Sequence, residues 1–337
     1  MSETVIITGG TGYLGQHIIA ELLKHEYKVV ATARTQIAAT NLIKLFAHPY
    51  LQTEVVEKYE EPGALDYVLK QHKEAKYFIA SAAVTDFQTC EPEELENKVL
   101  KKSDFIIENT LHSISKHGHQ IERVIYTSSS STMISPQDLF AVTKHYIDDP
   151  EAWSNVPYEA GKHDRFMSYI VSKIEGEKKL LAHIKDNQPK FDLVSILPAF
   201  LTGPVVFRSE INLDHLPSTT KTVGDLLKLN KDSYVPELAT GGVDVRDAAK
   251  AHVAVLNNPK ASNQRILVEA YKLTTPNILN IIRKDFPQYT DKLPVLEPIP
   301  ESEFVLPDDK RSKEILGFDK YYTLKESIDD LVKQIVE

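Results

Sequence analysis

Three glycines, Gly9, Gly12 and Gly15, recur at three-residue intervals and form a pattern typical of phosphate-binding turns. A short apolar run at residues 5–7 precedes them, and an amphipathic helix is predicted over residues 13–25. Glycines allow a tight turn and let the backbone approach a pyrophosphate, which the unpaired N–H groups at the helix start would bind. A structural turn is the alternative, but the flanking strand and helix favour dinucleotide binding. The residues predicted to contact the dinucleotide here are Gly9, Thr11, Gly12, Tyr13, Leu14 and Gly15.

A second set of residues that could take part in catalysis comprises Ser129, Tyr169 and Lys173. The serine closes a Thr-Ser-Ser triplet at the end of a strand predicted over residues 122–128. Tyr169 and Lys173 are four positions apart in a helix predicted over residues 166–186, so they share one face and can reach a common ligand. Taken alone, the serine would be interpreted as a cap of a helix or turn, and the tyrosine and lysine as an exposed pair on the helix surface. Their order after the glycine motif favours an active site.

Arg34 bears on the choice of dinucleotide. It follows a strand predicted over residues 28–32, and residues 31–40 contain no Asp or Glu. A carboxylate there would bind the ribose 2′-hydroxyl of NAD, whereas an arginine accommodates the 2′-phosphate of NADP. A surface arginine without a ligand is the alternative. The sequence favours NADP(H).

Alternating strands and helices must position these residues. The further predicted elements are strands at 51–56, 77–82, 191–197 and 264–268 and helices at 41–47, 62–72, 92–116, 222–231, 275–285 and 323–336. This rhythm predicts an α/β fold with a doubly wound parallel sheet of the Rossmann type, whose ligand lies beyond the carboxyl ends of the strands.

After residue 198 the rhythm breaks, which predicts a smaller C-terminal substrate lobe. Asp247 is predicted to cap a helix there, and a long polar loop is predicted at residues 137–164. The predicted divisions are an NADP-binding domain at 1–198 with 241–270 returning to its sheet, a substrate lobe at 199–240 and 271–322, and a C-terminal helix at 323–337.

Composition narrows the class of protein. The 337 residues carry a formal charge of −9 and include one cysteine, Cys90. The acidic excess argues against nucleic-acid binding, and no apolar run approaches the roughly 20 residues of a membrane span. The chain opens on a predicted strand, so no secretory signal is expected, and a lone cysteine suits a reducing compartment. We therefore expect a cytoplasmic protein. No metal site is expected, because the histidines at 112, 117 and 119 lack ligands at suitable spacing.

With these motifs the chain resembles the extended short-chain dehydrogenases/reductases. Within that family it looks like the yeast NADPH-dependent methylglyoxal and 3-methylbutanal reductases, which are relatives of plant dihydroflavonol and cinnamoyl-CoA reductases. The similarity extends along nearly the whole chain, and residues 28–34, 111–113, 241–252, 316–318 and 324–330 share it.

The resemblance implies NADPH-dependent reduction of an aldehyde or ketone to an alcohol. Ser129 would hold the substrate carbonyl, Tyr169 would donate the proton and Lys173 would assist it. Arg34 would meet the 2′-phosphate, and Pro198 would border the nicotinamide. The other cofactor contacts predicted are Ala82, Tyr169 and Lys173. The predicted pocket walls are Phe87, Met133, Phe200, Val206 and Phe207.

Three positions depart from the family's pattern. Lys58 lies where an aspartate near the adenine is usual, Ile79 replaces a histidine of the fourth strand, and Phe105 falls where the fourth helix usually has an asparagine-containing turn. The alternatives to a carbonyl reductase are a non-catalytic NADP sensor, a nucleotide-sugar epimerase or dehydratase, and a hydroxysteroid dehydrogenase. We expect a small carbonyl compound as partner, and both a monomer and a homodimer remain open.

Overall fold

The computed structural model describes residues 2–84, 86–135, 148–299, 306 and 308–337. Its strands are β1 Thr4–Thr8, β2 Lys28–Ala33, β3 Leu51–Val55, β4 Ala75–Ala80, β5 Arg123–Thr127, β6 Asp192–Pro198, β7 Phe200–Thr202, β8 Ala239–Asp244, β9 Arg265–Val268 and β10 Tyr271–Thr274. Its helices are α1 Tyr13–Lys24, α2 Gln36–Phe46, α3 Asp66–Gln71, α4 Lys102–His117, α5 Arg165–Asn187, α6 Thr220–Leu227, α7 Val245–Ala254, α8 Thr275–Asp285, α9 Lys310–Leu316 and α10 Leu324–Val336. Residues 137–147 of the predicted polar loop lie outside the described residues.

Seven parallel strands form the large sheet, in the order β3-β2-β1-β4-β5-β6-β9. The order reverses direction between β1 and β4, which is the point where ligands of such sheets bind. The glycine turn follows β1, so it lies at this reversal. The predicted doubly wound Rossmann fold is confirmed.

Apolar side chains cover both faces of the large sheet. Val5 and Ile7 belong to the core on the α1 and α7 side, whereas Ile6 and Phe78 belong to the core that includes α3 and α4. Neighbouring residues of a strand point to opposite faces, so a sheet covered on both sides requires continuous apolar runs. This burial explains why the strands of the large sheet are visible in the sequence.

A second sheet, in the order β10-β8-β7, supports the smaller lobe. Its own apolar core joins α6, α8 and α10, with Leu273, Ile278 and Leu331 fully buried. Within the segment 241–270, β9 pairs with β6 of the large sheet, whereas β8 pairs with β7 and β10. The predicted domain boundaries remain a prediction.

Several helix starts differ from the prediction. Asp247 does not cap α7; Asp244 does, because its side chain accepts a hydrogen bond from the backbone N–H of Arg246 at 2.8 Å. The second helix begins at Gln36 rather than residue 41, since Thr35 caps it. The third begins at Asp66 rather than Pro62, because Gly63 with φ of +75° forms a turn first.

None of the helices in the described ranges combines the length and the apolar character that a bilayer crossing requires.

Candidate active site

The glycine turn depends on the absence of side chains at two positions. Gly9 has φ of +74°, a conformation that favours glycine. A Cβ added to Gly15 would lie 2.1 Å from the Gly9 carbonyl oxygen, which is backbone and cannot move aside cheaply. The N–H of Gly12 donates to that same oxygen at 3.0 Å. The turn is therefore closed on itself, with the first turn of α1 packed directly against it.

The turn borders the segment that follows β4. Thr8 accepts hydrogen bonds from the backbone N–H groups of Ser81 and Ala82, both at 3.1 Å. A Cβ on Gly9 would lie 2.9 Å from the Ala82 nitrogen. The structure thus places Ala82 beside the glycine turn, as a shared cofactor site would require.

Two of the residues predicted to contact the cofactor direct their side chains into the protein. Tyr13 donates from its hydroxyl to the Gly203 carbonyl at 2.7 Å, and Leu14 is buried in the large core. Only the backbone of these two residues remains to bind a ligand. Thr11 is exposed at the turn.

Arg34 is exposed immediately after β2, next to the strand that leads into the glycine turn. Its positive charge opposes the rise in the pKa of Tyr59 that burial causes. Lys58 forms an exposed ion pair with Glu61 at 2.8 Å. Arg34 is thus a cation at the position where a 2′-phosphate is expected.

The structure brings Ser129, Tyr169 and Lys173 together. Asp164 caps α5 by accepting from the Met167 N–H at 2.8 Å, which starts the helix that carries the tyrosine and the lysine. The buried Nζ of Lys173 donates to the Thr127 carbonyl at 2.8 Å, two residues before Ser129. Ser129 in turn hydrogen-bonds the Tyr169 phenol.

Burial shifts both titratable groups of this set. It raises the pKa of the Tyr169 phenol, and the hydrogen bond with Ser129 partly opposes this rise. It lowers the pKa of Lys173 to about 8, against the opposing effect of the Glu177 carboxylate. The lysine is therefore still charged at neutral pH but close to the pH at which it can exchange a proton.

Ser129 is held in a fixed orientation by its own turn. Its Oγ accepts hydrogen bonds from the N–H of Ser131 at 3.3 Å and from the Ser131 hydroxyl at 2.9 Å. With both of these acting as donors to it, the Ser129 hydroxyl can direct its own proton toward a neighbouring oxygen. This orientation is what stabilising a carbonyl oxygen requires.

The predicted pocket residues have different surroundings. Phe87 stacks on Tyr169, with ring centroids 5.3 Å apart. Met133 belongs to a small buried cluster with Leu197 and Leu267. Phe200 packs on the core of the small sheet, Phe207 meets Phe46 edge to face, and Val206 is half-buried. Of the five, Phe87 is thus the one whose ring is observed in contact with Tyr169.

The other predicted positions are accounted for as follows. Pro198 ends β6 and is buried where it pairs with Val268. Ile79 is fully buried in the large core, and half of the Phe105 side chain is exposed on α4. Neither Ile79 nor Phe105 supplies a polar group to the site.

Three buried polar residues were missed from the sequence. Glu177 and Arg265 form an ion pair with Nε and Oε1 2.8 Å apart. His252 accepts from the Thr127 hydroxyl through Nε2 at 2.9 Å and donates from Nδ1 to the Ala248 carbonyl at 2.8 Å. Burial lowers the pKa of His252 to about 4, so it is neutral. A signal for Glu177 was available, since it follows Lys173 by four positions on α5.

Comparison with known proteins supports one family. The model of the NAD dependent epimerase/dehydratase family matches residues 5–270. The NADPH-dependent methylglyoxal reductase GRE2 of Saccharomyces cerevisiae is 32% identical over 346 residues, which cover 99% of this chain and 98% of that protein.

Solved structures support the same family. Gre2 of Candida albicans in complex with NADPH superimposes with a TM-score of 0.93 at 34% identity, covering 99% of this chain and 98% of that one. Yeast methylglyoxal/isovaleraldehyde reductase Gre2 with NADPH gives a TM-score of 0.92 at 31% identity, with the same coverage. The resemblance inferred from the motifs is confirmed: the chain belongs to the NAD dependent epimerase/dehydratase family, whose members are extended short-chain dehydrogenases/reductases.

Proposed function

We propose that this chain is an NADPH-dependent carbonyl reductase that converts aldehydes and ketones of the methylglyoxal and 3-methylbutanal type to alcohols. The observation that carries the proposal is the convergence of Ser129, Tyr169 and Lys173 at the carboxyl end of β5. The end-to-end similarity to NADPH-dependent methylglyoxal reductase supports the same reaction and cofactor.

The residues present suit an NADP cofactor. The glycine turn is free of side chains where a pyrophosphate would approach. Arg34 is exposed beside it and would neutralise the 2′-phosphate. NADPH, when bound, supplies a hydride to the carbonyl carbon.

The protein's own groups handle the oxygen. Ser129 would donate a hydrogen bond to the substrate carbonyl oxygen and stabilise the negative charge that develops there. Tyr169 would transfer its phenolic proton to this oxygen, which completes the alcohol. The positive charge of Lys173 would stabilise the phenolate that remains until a proton from solvent restores the phenol.

The alternatives predict different behaviour. A nucleotide-sugar epimerase on this scaffold would be expected to carry an NAD-selecting carboxylate after β2, and residues 31–40 contain none. A non-catalytic NADP sensor has no use for a serine, tyrosine and lysine in register. A hydroxysteroid dehydrogenase would use the same three residues and differ in its pocket.

The test is NADPH consumption by the purified chain, followed at 340 nm with methylglyoxal, 3-methylbutanal, aryl ketones, a hydroxysteroid and no substrate. We expect turnover with small aldehydes and a clear preference for NADPH over NADH. NADPH binding without turnover on any carbonyl would favour the sensor, and selective turnover of the steroid would favour the dehydrogenase. A cytoplasmic location, and a small carbonyl compound rather than nucleic acid as partner, belong to the same proposal.

A further inference from the structure

The candidate active site continues one helical turn beyond Lys173. Tyr169, Lys173 and Glu177 are spaced by four along α5, so they form a single stripe. Glu177 is fully buried, and hydrogen bonds engage both of its carboxylate oxygens. A buried carboxylate is costly unless it is paired, so its partners indicate what it does.

One oxygen of Glu177 is bound from both sides of the turn that carries Ser129. Its Oε2 accepts from the Ser128 hydroxyl at 2.7 Å and from the Thr132 hydroxyl at 3.0 Å. Ser128 precedes Ser129 and Thr132 follows it by three positions. The carboxylate therefore joins α5, with its tyrosine and lysine, to the segment that bears the third member of the set.

Arg265 of β9 holds the carboxylate in turn. Its Nε donates to Oε1 at 2.8 Å, and its terminal nitrogens donate to the Thr132 hydroxyl and the Pro150 carbonyl, both at 3.0 Å. The guanidinium also stacks on Trp153, 3.9 Å from the ring centroid. A terminal nitrogen of Arg265 also donates to Glu177 Oε2 at 3.3 Å, so the pair is bidentate. Such a guanidinium–carboxylate pair has a fixed geometry and therefore defines the position of Glu177.

We propose that Glu177 is a positioning residue, whose carboxylate, fixed by Arg265, holds the Ser129 turn in register with Tyr169 and Lys173 on α5. The inference rests on the proposed function and adds a residue to it. Catalytic groups misplaced by about 1 Å can cost about 100-fold in rate, so a residue that sets their spacing affects turnover without touching substrate.

The charge of Glu177 gives the role a second readout. The ionisable groups around Lys173 are Glu177 and Tyr169 on α5, Tyr126 on β5, whose ring centroid lies 5.4 Å from Nζ, and the neutral His252 on α7. Of these, the Glu177 carboxylate raises the pKa of Lys173. Its removal should move the alkaline limit of activity to lower pH.

The main variant is Glu177→Gln, which keeps the shape and removes the charge. We expect kcat to fall at least about tenfold, with the KM for NADPH within about twofold of the wild-type value, and the alkaline limb of kcat to move down by at least about 0.5 pH unit. A folded Glu177→Gln variant with wild-type kcat and an unchanged alkaline limb would overturn the inference.

Two further variants separate position from folding. Glu177→Gln leaves Arg265 buried without its carboxylate, which can prevent folding. Glu177→Asp keeps the charge but shortens the side chain, so it should fold and still lose kcat; wild-type kcat in this variant would also overturn the inference. The double variant Glu177→Gln with Arg265→Gln removes both charges and should regain stability but not kcat.

An ion pair between two strands of the large sheet provides the control. Arg123, at the start of β5, is buried and pairs with Asp192 on β6 at 2.7 Å, although the Asp192 side chain is 21% exposed. It lies at the opposite end of the strand from Ser129. Asp192→Asn should lower stability and leave kcat and the alkaline limb at wild-type values; a loss of kcat equal to that of Glu177→Gln would mean that stability alone explains both.

Different experimental results would refute the inference and the proposed function. Absence of NADPH turnover in the wild type would refute the proposed reaction. Hydrogen exchange of residues 128–132 would still test the inference: it should speed up in Glu177→Gln and not in Asp192→Asn. Unchanged exchange at these residues in the Glu177 variant would refute the positioning role.

Discussion

Lys173 donates a hydrogen bond from its buried ammonium group to the carbonyl of Thr127 at 2.8 Å. This contact ties the middle of α5 to the carboxyl end of β5, two residues before Ser129. The sheet supplies the hydroxyl and the helix supplies the phenol and amine, and this bond fixes one against the other.

Replacing Tyr169 with phenylalanine removes the proposed proton donor and keeps the ring that stacks on Phe87. We expect kcat to fall by about 10²–10⁴-fold, the usual contribution of a positioned acid, while the Kd for NADPH changes little. Single-turnover kinetics and NADPH fluorescence titration measure the two quantities. Tyr158→Phe, at a tyrosine that is 39% exposed, is the matched control and should behave as wild type. Retained turnover in Tyr169→Phe would remove the phenol from the mechanism.

Carbonyl reduction should decline as the pH rises through about 8. Burial lowers the pKa of Lys173 to about 8. Above that pH the lysine loses the charge that stabilises the phenolate, and below it the charge is retained. A kcat profile between pH 6 and 10 measures the limb. Lys173→Arg keeps its charge throughout this range, so any activity it retains should lack the limb; a wild-type limb near the ordinary lysine pKa would contradict the assignment.

Protein stability should fall in mild acid because of His252. Burial lowers its folded-state pKa from 6.5 to about 4, so between these values the unfolded chain binds more protons than the folded chain. The stabilisation from this group is therefore complete above pH 6.5 and is lost as the pH falls toward 4. At pH 5 the free energy of unfolding should be lower by about 2 kcal/mol than at pH 7 through this group.

Urea unfolding at the two pH values measures this loss. His252→Gln should reduce the difference, whereas His163→Gln, at an exposed histidine, should leave it unchanged. An equal pH dependence in the wild type and in His252→Gln would assign the acid sensitivity to other groups.

The large sheet was predictable because its strands are buried on both faces and read as apolar runs. The smaller sheet was not, since β7 has three residues and β8 contains Gly241 and Gly242, and glycine weakens a strand signal. The cap of α7 was assigned to Asp247 rather than Asp244 because both aspartates suit a cap, and the end of β8 decides between them.

The residues of the candidate site also divide into those that the sequence predicts and those that it does not. Ser129, Tyr169 and Lys173 could be chosen from residue type, order and spacing. Arg265 could not, because its partner Glu177 lies 88 positions away and a charged residue in a sequence reads as exposed. Only the packing of β9 beside β6 brings the pair together.

Arg34→Ala should change the choice of cofactor. The exposed guanidinium follows β2, beside the glycine turn, where it would form charge-assisted hydrogen bonds with the 2′-phosphate. Such bonds contribute about 1.5–3 kcal/mol, so the KM for NADPH should rise by about 10–100-fold while the KM for NADH stays nearly constant. Lys24→Ala removes the same charge at the far end of α1 and serves as the control. Equal increases in the KM for both cofactors in Arg34→Ala would mean that the arginine supports the turn rather than the phosphate, since only the 2′-phosphate distinguishes the two dinucleotides.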